Sequence, residues 1–397
     1  MPKYIMLVGD GMGDYPLEEI DNKTPLEVAS TANMDFITSN GILGLVQTIP
    51  NGMSPGSDVA NMSLLGFDPK KYYTGRGPIE AASLGINVKP EDTVFRCNLV
   101  TLTEKNGSIL MEDYSGGHIS SKEAKELIFG LNKHLLSAKF CFYAGVSYRH
   151  ILIWHKTEKN LTTIPPHDLI GQPITDYLLG LPVEIRELIE QTRKILIKHP
   201  INQKKISNGQ KPANSIWLWG EGKMVQLPNF KETFGLNGAV ISAVDLIKGI
   251  GILGGLKVID VPGATGYLDT NYRAKAQYAI RALEETDFVY VHVEAPDEAS
   301  HEGNLCAKIK AIEAFDTQVV GPVLKQALKQ NYKIMVTTDH YTPLSLRTHI
   351  AKPVPFAIFS SKKKCKTSPR VFCEKTAQKN EILVKPGYEL IKIFLKS

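Results

Sequence analysis

Cysteine is scarce and unpatterned in this sequence of 397 residues: Cys97, Cys141, Cys306, Cys365 and Cys373 are an odd number with no C-x-x-C pair. A disulfide framework and a zinc knuckle are disfavoured, and a reducing cytoplasm is the expected compartment. Long apolar runs are also missing. No stretch approaches the roughly 18 apolar residues that cross a bilayer, and the opening "MPKYIMLVGDGMG" carries no apolar leader. Charge of one sign is not in great excess. A net charge of +5 is small for this length, which argues against a dedicated nucleic-acid binder and suits small anionic substrates. No G-x-x-x-x-G-K-[ST] loop occurs. The G-x-G-x-x-G at Gly249, Gly251 and Gly254 follows helix-like "SAVDLIKGI" and precedes strand-like "LKVIDV", the reverse of dinucleotide-binding order. What is left is the composition of an ordinary soluble enzyme, 43% hydrophobic and 22% charged, long enough for two domains.

Several apolar runs end in acidic residues. "KYIMLVG" (3–9) leads into "GDGMG", and "DFVYVHVEAPD" (287–297) and "YKIMVTTDH" (332–340) repeat that grammar. Between the last two, Leu305, Ile309, Ile312, Val319, Val323 and Leu328 fall near helical spacing and predict one buried face. Strand–helix–strand alternation predicts an α/β fold: a mostly parallel sheet covered by helices, with functional loops at the C-terminal strand ends. Residues 86–229 read differently. They hold weaker strand runs ("TVFRCNLVTLT", "KFCFYAG", "SYRHILIW"), a helix opened by the capping-box pair Ser120 and Glu123, and a proline-rich stretch, 162–173, expected to be irregular. This pattern predicts a smaller α/β domain, 86–229, inserted into a discontinuous core of 1–85 and 230–397. "KKKCK" (362–366) reads as a solvated loop.

Ser57, in "MSPGSDVANMSLLGFDP" (53–69), follows the turn formers Pro55 and Gly56 and opens a short helix closed by Gly66. It can cap that helix, or it can be a nucleophile facing backbone N–H groups that bind phosphate. A nucleophile elbow needs glycine two residues before the serine. Pro55 stands there, so a nucleophilic Ser57 needs another means of activation. Candidate metal ligands gather at the strand ends. Asp297 and His301 lie four apart in "APDEASHEG" and share a face if that stretch is helical; a polar loop is the plainer alternative. Asp339 and His340 are adjacent in "TTDHYTP", His349 follows nine residues later, and Asp10 is flanked by glycines that allow close backbone approach. Oxygen and nitrogen donors suit Mn²⁺, Zn²⁺ or Co²⁺, and two divalent ions roughly 4 Å apart recur in phosphoryl chemistry. A cation on the Ser57 hydroxyl would replace the missing base.

"GDGMGD", "PGSDVANMSLLGFDP" with "YTGRGPIEA", "SGGHIS", "GATGYLDTNYRAKA", "HVEAPDEASHEG" and "TTDHYTP" span nearly the whole chain. Together they resemble the archaeal-type, cofactor-independent phosphoglycerate mutases of the alkaline phosphatase superfamily. The resemblance implies an alkaline-phosphatase-like α/β/α core with an inserted phosphotransferase domain. It implies one cation held by Asp297, His301 and His349, and a second held by Asp10, Ser57, Asp339 and His340. Mn²⁺ is the foremost candidate, with Zn²⁺, Co²⁺ or Mg²⁺ as alternatives, and 2,3-bisphosphoglycerate is not required. Ser57 would take the phosphoryl group from 3-phosphoglycerate and return it to the 2-hydroxyl. His118 in "SGGHIS" matches a position near the transferring phosphate. Arg149, Lys248, Arg76 and Arg273 are further candidates for substrate contacts. "VHVEAPDEASHEG" and "LDTNY" also resemble a bacterial branch proposed to act as homoserine kinases, so a metal-dependent kinase is the alternative activity.

Overall fold

The computed structural model describes residues 2–157, 161–362 and 369–397, so 363–366 of the "KKKCK" run lie outside the described residues. The chain divides into two compact units, Met1–Tyr73 with Gln226–Ser397, and Thr74–Val225.

Eight strands form one sheet in the first unit. Their spatial order is Leu383–Val384, Ile42–Val46, Val354–Ser360, Tyr332–Thr338, Lys3–Gly9, Phe288–Val293, Gly238–Ile241, Lys257–Val258. The run from Tyr332–Thr338 to Lys257–Val258 is parallel throughout, while Val354–Ser360 is antiparallel to both its neighbours. The predicted mostly parallel α/β sheet is therefore present. Its central strands are covered on both faces, which is why they read as unbroken apolar runs rather than alternating ones. Alternation still assigns the faces. Ile5, Leu7, Val289, Val291 and Val336 pack in one cluster with Met34, Ala276, Ile312 and Phe315 from the helical segments. Tyr290 points the other way, and its hydroxyl donates to Asn61 Oδ1 on the helix Ser57–Leu64. Register then decides where the chemistry emerges. Gly9 is level with both Val293 and Thr338, so three adjacent parallel strands end together and release Asp10, Glu294 and Asp339 side by side.

The predicted helix over 304–330 is one continuous run interrupted by a π-helical turn at Phe315–Val320. The wider turn shifts the phase of everything after it. Ile312, Val319 and Val323 are buried as expected, but Leu328 is 57% exposed, and Ala327 takes its place in the core. The same turn delivers the fully buried Asp316. Its carboxylate accepts from Asn33 N at 3.2 Å and Met34 N at 2.7 Å, and so caps the helix Ala32–Ser39 from outside. Asp245–Leu253 is a helix and precedes the strand Lys257–Val258, so the G-x-G-x-x-G stands in helix-then-strand order.

In the second unit the long strand Thr93–Lys105 pairs antiparallel with Ser108–Asp113, Arg149–Trp154 and Ser215–Gly222, and Phe140–Tyr143 extends the sheet. The helix Ser121–Leu135 opens with the predicted capping box: Ser120 Oγ accepts from Glu123 N, and the Glu123 carboxylate accepts from Ser120 N. The stretch 162–173 is irregular apart from a single turn, Pro166–Leu169. Both boundaries differ from expectation. The unit begins at Thr74 rather than 86, because the helix Arg76–Ser83 pairs its buried Glu80 with Arg96 of the long strand at 3.1 Å. It ends at Val225 rather than 229. No helix among the described residues is long and apolar enough to cross a membrane.

Candidate active site

Ser57 is the first residue of its helix, and the N-cap is Gly56. The hydroxyl turns to His340 and lies 3.0 Å from Nε2. Ser57 is therefore not the N-cap, and Gly56, which is, makes no side-chain cap hydrogen bond. Gly66, at φ +86°, closes the helix by returning its amide to Ser63 O at 2.9 Å, while Phe67 N reaches Met62 O at 3.0 Å.

His340 joins the remaining groups. Its Nε2 lies 3.2 Å from Asp10 Oδ1 and 3.5 Å from Asp339 Oδ2. Its Nδ1 lies 3.1 Å from Thr342 Oγ1, and the Thr342 hydroxyl donates to Asp297 Oδ1. Because Thr342 gives its proton to Asp297, its oxygen can only accept from His340, which places the ring proton on Nδ1. Burial pushes the His340 pKa down to about 4, so at neutral pH Nε2 presents a lone pair. Facing it, Asp10 Oδ1 is buried with no hydrogen-bond partner among the described residues. Burial, followed by the Asp339 and Asp297 carboxylates, holds the Asp10 carboxyl well above its usual range. A lone pair and a carboxylate oxygen this close repel each other until a cation or proton lies between them.

Asp339 is held more firmly. Its Oδ1 accepts from Gly11 N at 3.0 Å, and its Oδ2 accepts from Asn61 Nδ2 at 2.8 Å. Burial alone would raise its carboxyl, but His340 and His292 bring it below the ordinary carboxylate range.

Asp297 and His301 share the helix Ala295–His301, as their spacing predicts. His301 Nε2 is 3.1 Å from Asp297 Oδ2 and 3.0 Å from His349 Nε2, and His349 Nε2 is 3.4 Å from Asp297 Oδ1. The Arg347 carbonyl, 2.9 Å from His301 Nδ1, accepts that ring proton and turns Nε2 inward. Burial opposes charge on the His301 ring, yet Asp297 outweighs it and lifts the pKa to about 9. For Asp297 itself, burial is overcome by His349 and His301, which hold the carboxyl well below its usual range. The His340 and His349 rings stand 4.1 Å apart, so the two groups are contiguous. Asp10, Asp339 and His340 form one set with donor atoms within 4.8 Å of one another, and Asp297, His340 and His349 form another. All seven residues singled out as ligands therefore meet in the first unit.

Several neighbours escaped the sequence reading. Asn61 ties the helix that begins at Ser57 to Asp339, donating to Ser57 O at 2.7 Å as well. Lys308, fully buried, donates to Asp14 Oδ2 at 2.8 Å, Thr342 O at 3.0 Å and Gly13 O at 3.3 Å, and so fastens to each other the two loops that follow Asp10 and His340. His292 and Glu294, on and just after the strand Phe288–Val293, lie behind Asp10 with Lys275. Their signal was present as a histidine and glutamate inside an otherwise apolar strand end.

The candidate substrate contacts are dispersed. His118 is exposed in a turn at φ 50°, its amide donating to Ser115 Oγ at 3.0 Å. The Arg76 and Arg96 guanidiniums lie over the Trp219 ring at 5.5 Å and 4.7 Å, and that of Arg149 lies over Tyr148 at 5.6 Å. Arg96, not singled out beforehand, has its pKa lowered to about 10 by burial, against the pull of Glu80 and with the help of Arg76 and Arg149. Lys248 is engaged with Asp260 at 2.8 Å, and Arg273 is exposed on the helix Tyr272–Glu285.

Residues 38–202 match the family described as 2,3-bisphosphoglycerate-independent phosphoglycerate mutase. A Geobacter sulfurreducens protein described as a probable mutase of that kind is 48% identical over 396 residues, covering 99% of each chain. A Methanosarcina barkeri protein bearing the same description without the qualifier is 47% identical over 403 residues, covering 100% of each. The solved cofactor-independent phosphoglycerate mutase of Thermoplasma acidophilum superposes with a TM-score of 0.64 at 27% identity, covering 100% of this chain and 99% of that one. With near-half identity over full length joined to a site of this composition, the chain belongs to the 2,3-bisphosphoglycerate-independent phosphoglycerate mutases.

Proposed function

We propose that this member of the family interconverts 3-phosphoglycerate and 2-phosphoglycerate through a phosphoserine on Ser57, with two divalent cations at the cluster. The observation that carries this reading is the Ser57 hydroxyl, 3.0 Å from His340 Nε2 at the start of a helix and beside two contiguous sets of carboxylates and imidazoles. The donor set fits cations. The unpartnered Asp10 Oδ1 and the inward lone pair of His340 converge, and no thiolate takes part. Asp10, Asp339, His340 and Ser57 would hold one cation, and Asp297, His301 and His349 the other, with Mn²⁺ foremost. Bound cations would lower the pKa of the Ser57 hydroxyl and offset the charge of the transferring phosphoryl group. The protein's own groups do the rest. The helix N-terminus at Ser57 favours the incoming anion. In the first transfer the Ser57 Oγ–P bond forms and the bond from phosphorus to the 3-oxygen breaks. The proton leaving Oγ ends on that oxygen. In the second, the bond from phosphorus to the glycerate 2-oxygen forms, the Oγ–P bond breaks, and the proton leaving the 2-hydroxyl ends on Oγ, which regenerates the serine. Arg76, Arg149 and Arg96 form a cationic patch of the second unit suited to carboxylate and phosphate. His118 there, and Lys248 and Arg273 in the first unit, are further candidate contacts.

The test is an enolase-coupled assay with 3-phosphoglycerate, Mn²⁺ and no 2,3-bisphosphoglycerate, run beside ATP with homoserine. Mutase turnover without phosphohomoserine is expected. Phosphohomoserine as the only product would replace this reading with the kinase.

Cation uptake should release protons. The His301 ring, with its pKa raised from 6.5 to about 9, carries a proton in the metal-free protein at neutral pH. That paired proton stabilises the metal-free fold fully below pH 6.5, and the contribution is lost as pH rises through about 9. A cation on Nε2 must displace it, so apparent affinity should climb by up to about tenfold per pH unit over this window and level off above it. Titration calorimetry at neutral pH in buffers of different ionisation enthalpy reads the release directly. A heat of Mn²⁺ binding that does not depend on the buffer would exclude His301 as a ligand.

A further inference from the structure

We propose that His292 is a positioning residue for cation capture: it grips the Asp10 carboxylate from behind, and Glu294 with Lys275 locks its ring. This rests on the cation reading above.

His292 is completely buried on the strand Phe288–Val293. Its Nε2 is 3.3 Å from Asp10 Oδ2 and 3.7 Å from Asp339 Oδ2. His340 Nε2 addresses the other oxygen of Asp10, Oδ1, at 3.2 Å. Two imidazoles thus take opposite oxygens of one carboxylate. The His292 side fixes rotation about the Cβ–Cγ bond and leaves Oδ1 turned toward His340, whose Nε2 also faces Ser57.

The ring is itself fixed. Its Nδ1 lies 3.4 Å from Glu294 Oε1. Glu294 cannot swing away, because Oε1 also accepts from Ser242 Oγ at 2.8 Å and Ala243 N at 2.9 Å. Its Oε2 accepts from Lys275 Nζ at 2.6 Å, and the same ammonium donates to the His292 carbonyl at 2.9 Å. Lys275, Glu294 and His292 form a continuous buried line that ends on two candidate ligands. A purely structural histidine would close its hydrogen bonds. Both ring nitrogens of His292 instead stand at ion-pair distance from carboxylates without a full hydrogen bond, and Asp10 Oδ1 has no hydrogen-bond partner among the described residues. Unclosed buried polar atoms are costly, and here they cluster where a cation would be taken up.

The experiment is Mn²⁺ binding to the full-length protein after chelator stripping, followed by electron paramagnetic resonance of free Mn²⁺. His292→Phe keeps the ring's bulk without its nitrogens and should weaken one of two sites about 10- to 100-fold, leaving the other within twofold. His292→Gln, which restores an N–H near the position of Nε2, should recover most of the loss. In Mn²⁺-saturated His292→Phe enzyme, KM for 3-phosphoglycerate should stay near the wild-type value. Unchanged affinity at both sites, equal loss at both, or no recovery in His292→Gln overturns the proposal. Should His292→Phe fail to fold, Glu294→Gln decides: selective weakening of one site supports the positioning line, and two unaltered sites overturn it. Wild-type protein that takes up no Mn²⁺ would overturn the underlying cation reading instead, a result distinguishable from all of these.

Discussion

Ser57→Ala should abolish phosphoryl transfer while the protein stays folded. The hydroxyl is the only part of the side chain the substitution removes, and its contact is with His340 Nε2. Because Gly56 rather than Ser57 is the N-cap, no helix cap is lost. The expected destabilisation is that of one hydrogen bond, about 1 kcal/mol, and alanine at the first helical position favours the helix. Activity should respond on another scale. Loss of a covalent nucleophile costs about 10³-fold or more in turnover, because the remaining groups only bind and polarise. Two measurements separate the effects. Thermal unfolding of the variant should remain within a few degrees of wild type. Rapid acid quench with labelled 3-phosphoglycerate should trap phosphoserine in wild type and none in the variant. A variant that retained a tenth of wild-type turnover would rule out a phosphoserine intermediate, whatever its stability.

The chemistry of the site was more legible than its support. Asp10, Asp297 and Asp339 stand out in the sequence because each follows an apolar run, and parallel strands place such positions at one sheet edge. That these three runs are adjacent and end level could not be read, since register is a long-range property set by packing. His292 was hidden for a related reason. A lone histidine in an apolar strand is usually a core residue, and only the pairing of strands places it behind Asp10. Lys308 was hidden by charge: a lysine among Leu305, Ile309 and Ile312 reads as solvent-facing until three acceptors from other loops surround it. The exposure of Leu328 and the start of the second unit at Thr74 were missed through local geometry. A π-helical turn adds a fraction of a turn that no periodic pattern announces, and one buried Glu80–Arg96 pair draws a helix into the neighbouring unit.

Gly11→Ala is expected to disable the site by displacing the elements that carry it. Gly11 sits at φ +60°, and a Cβ there would lie 2.4 Å from Asp297 Oδ1, 2.9 Å from Asp297 Cβ and 2.6 Å from Thr342 Oγ1. Free side-chain ends would rotate to relieve the first and last contacts, but Asp297 and Thr342 are bonded to each other and to the ring groups of His340, His301 and His349. The Asp297 Cβ contact needs the helix Ala295–His301 itself to shift. Asp297 must therefore leave His301 and His349, which removes the carboxylate from one cation set, and Gly11 N must move with respect to Asp339 Oδ1 in the other. Displacements of this order in a catalytic constellation cost about 10²-fold, so kcat should fall at least that far and Mn²⁺ stoichiometry should drop. Left-handed backbone strain alone accounts for only about 1 kcal/mol. Gly235→Ala measures that part separately: Gly235 lies at φ +72° in the same unit, and a Cβ there meets nothing within 4 Å. Loss of Mn²⁺ binding and turnover in Gly11→Ala, with both retained in Gly235→Ala, would locate the effect in the displaced Asp297. Equal losses in the two variants would assign it to strain, and full activity in Gly11→Ala would show that Asp297 is not needed where the structure holds it.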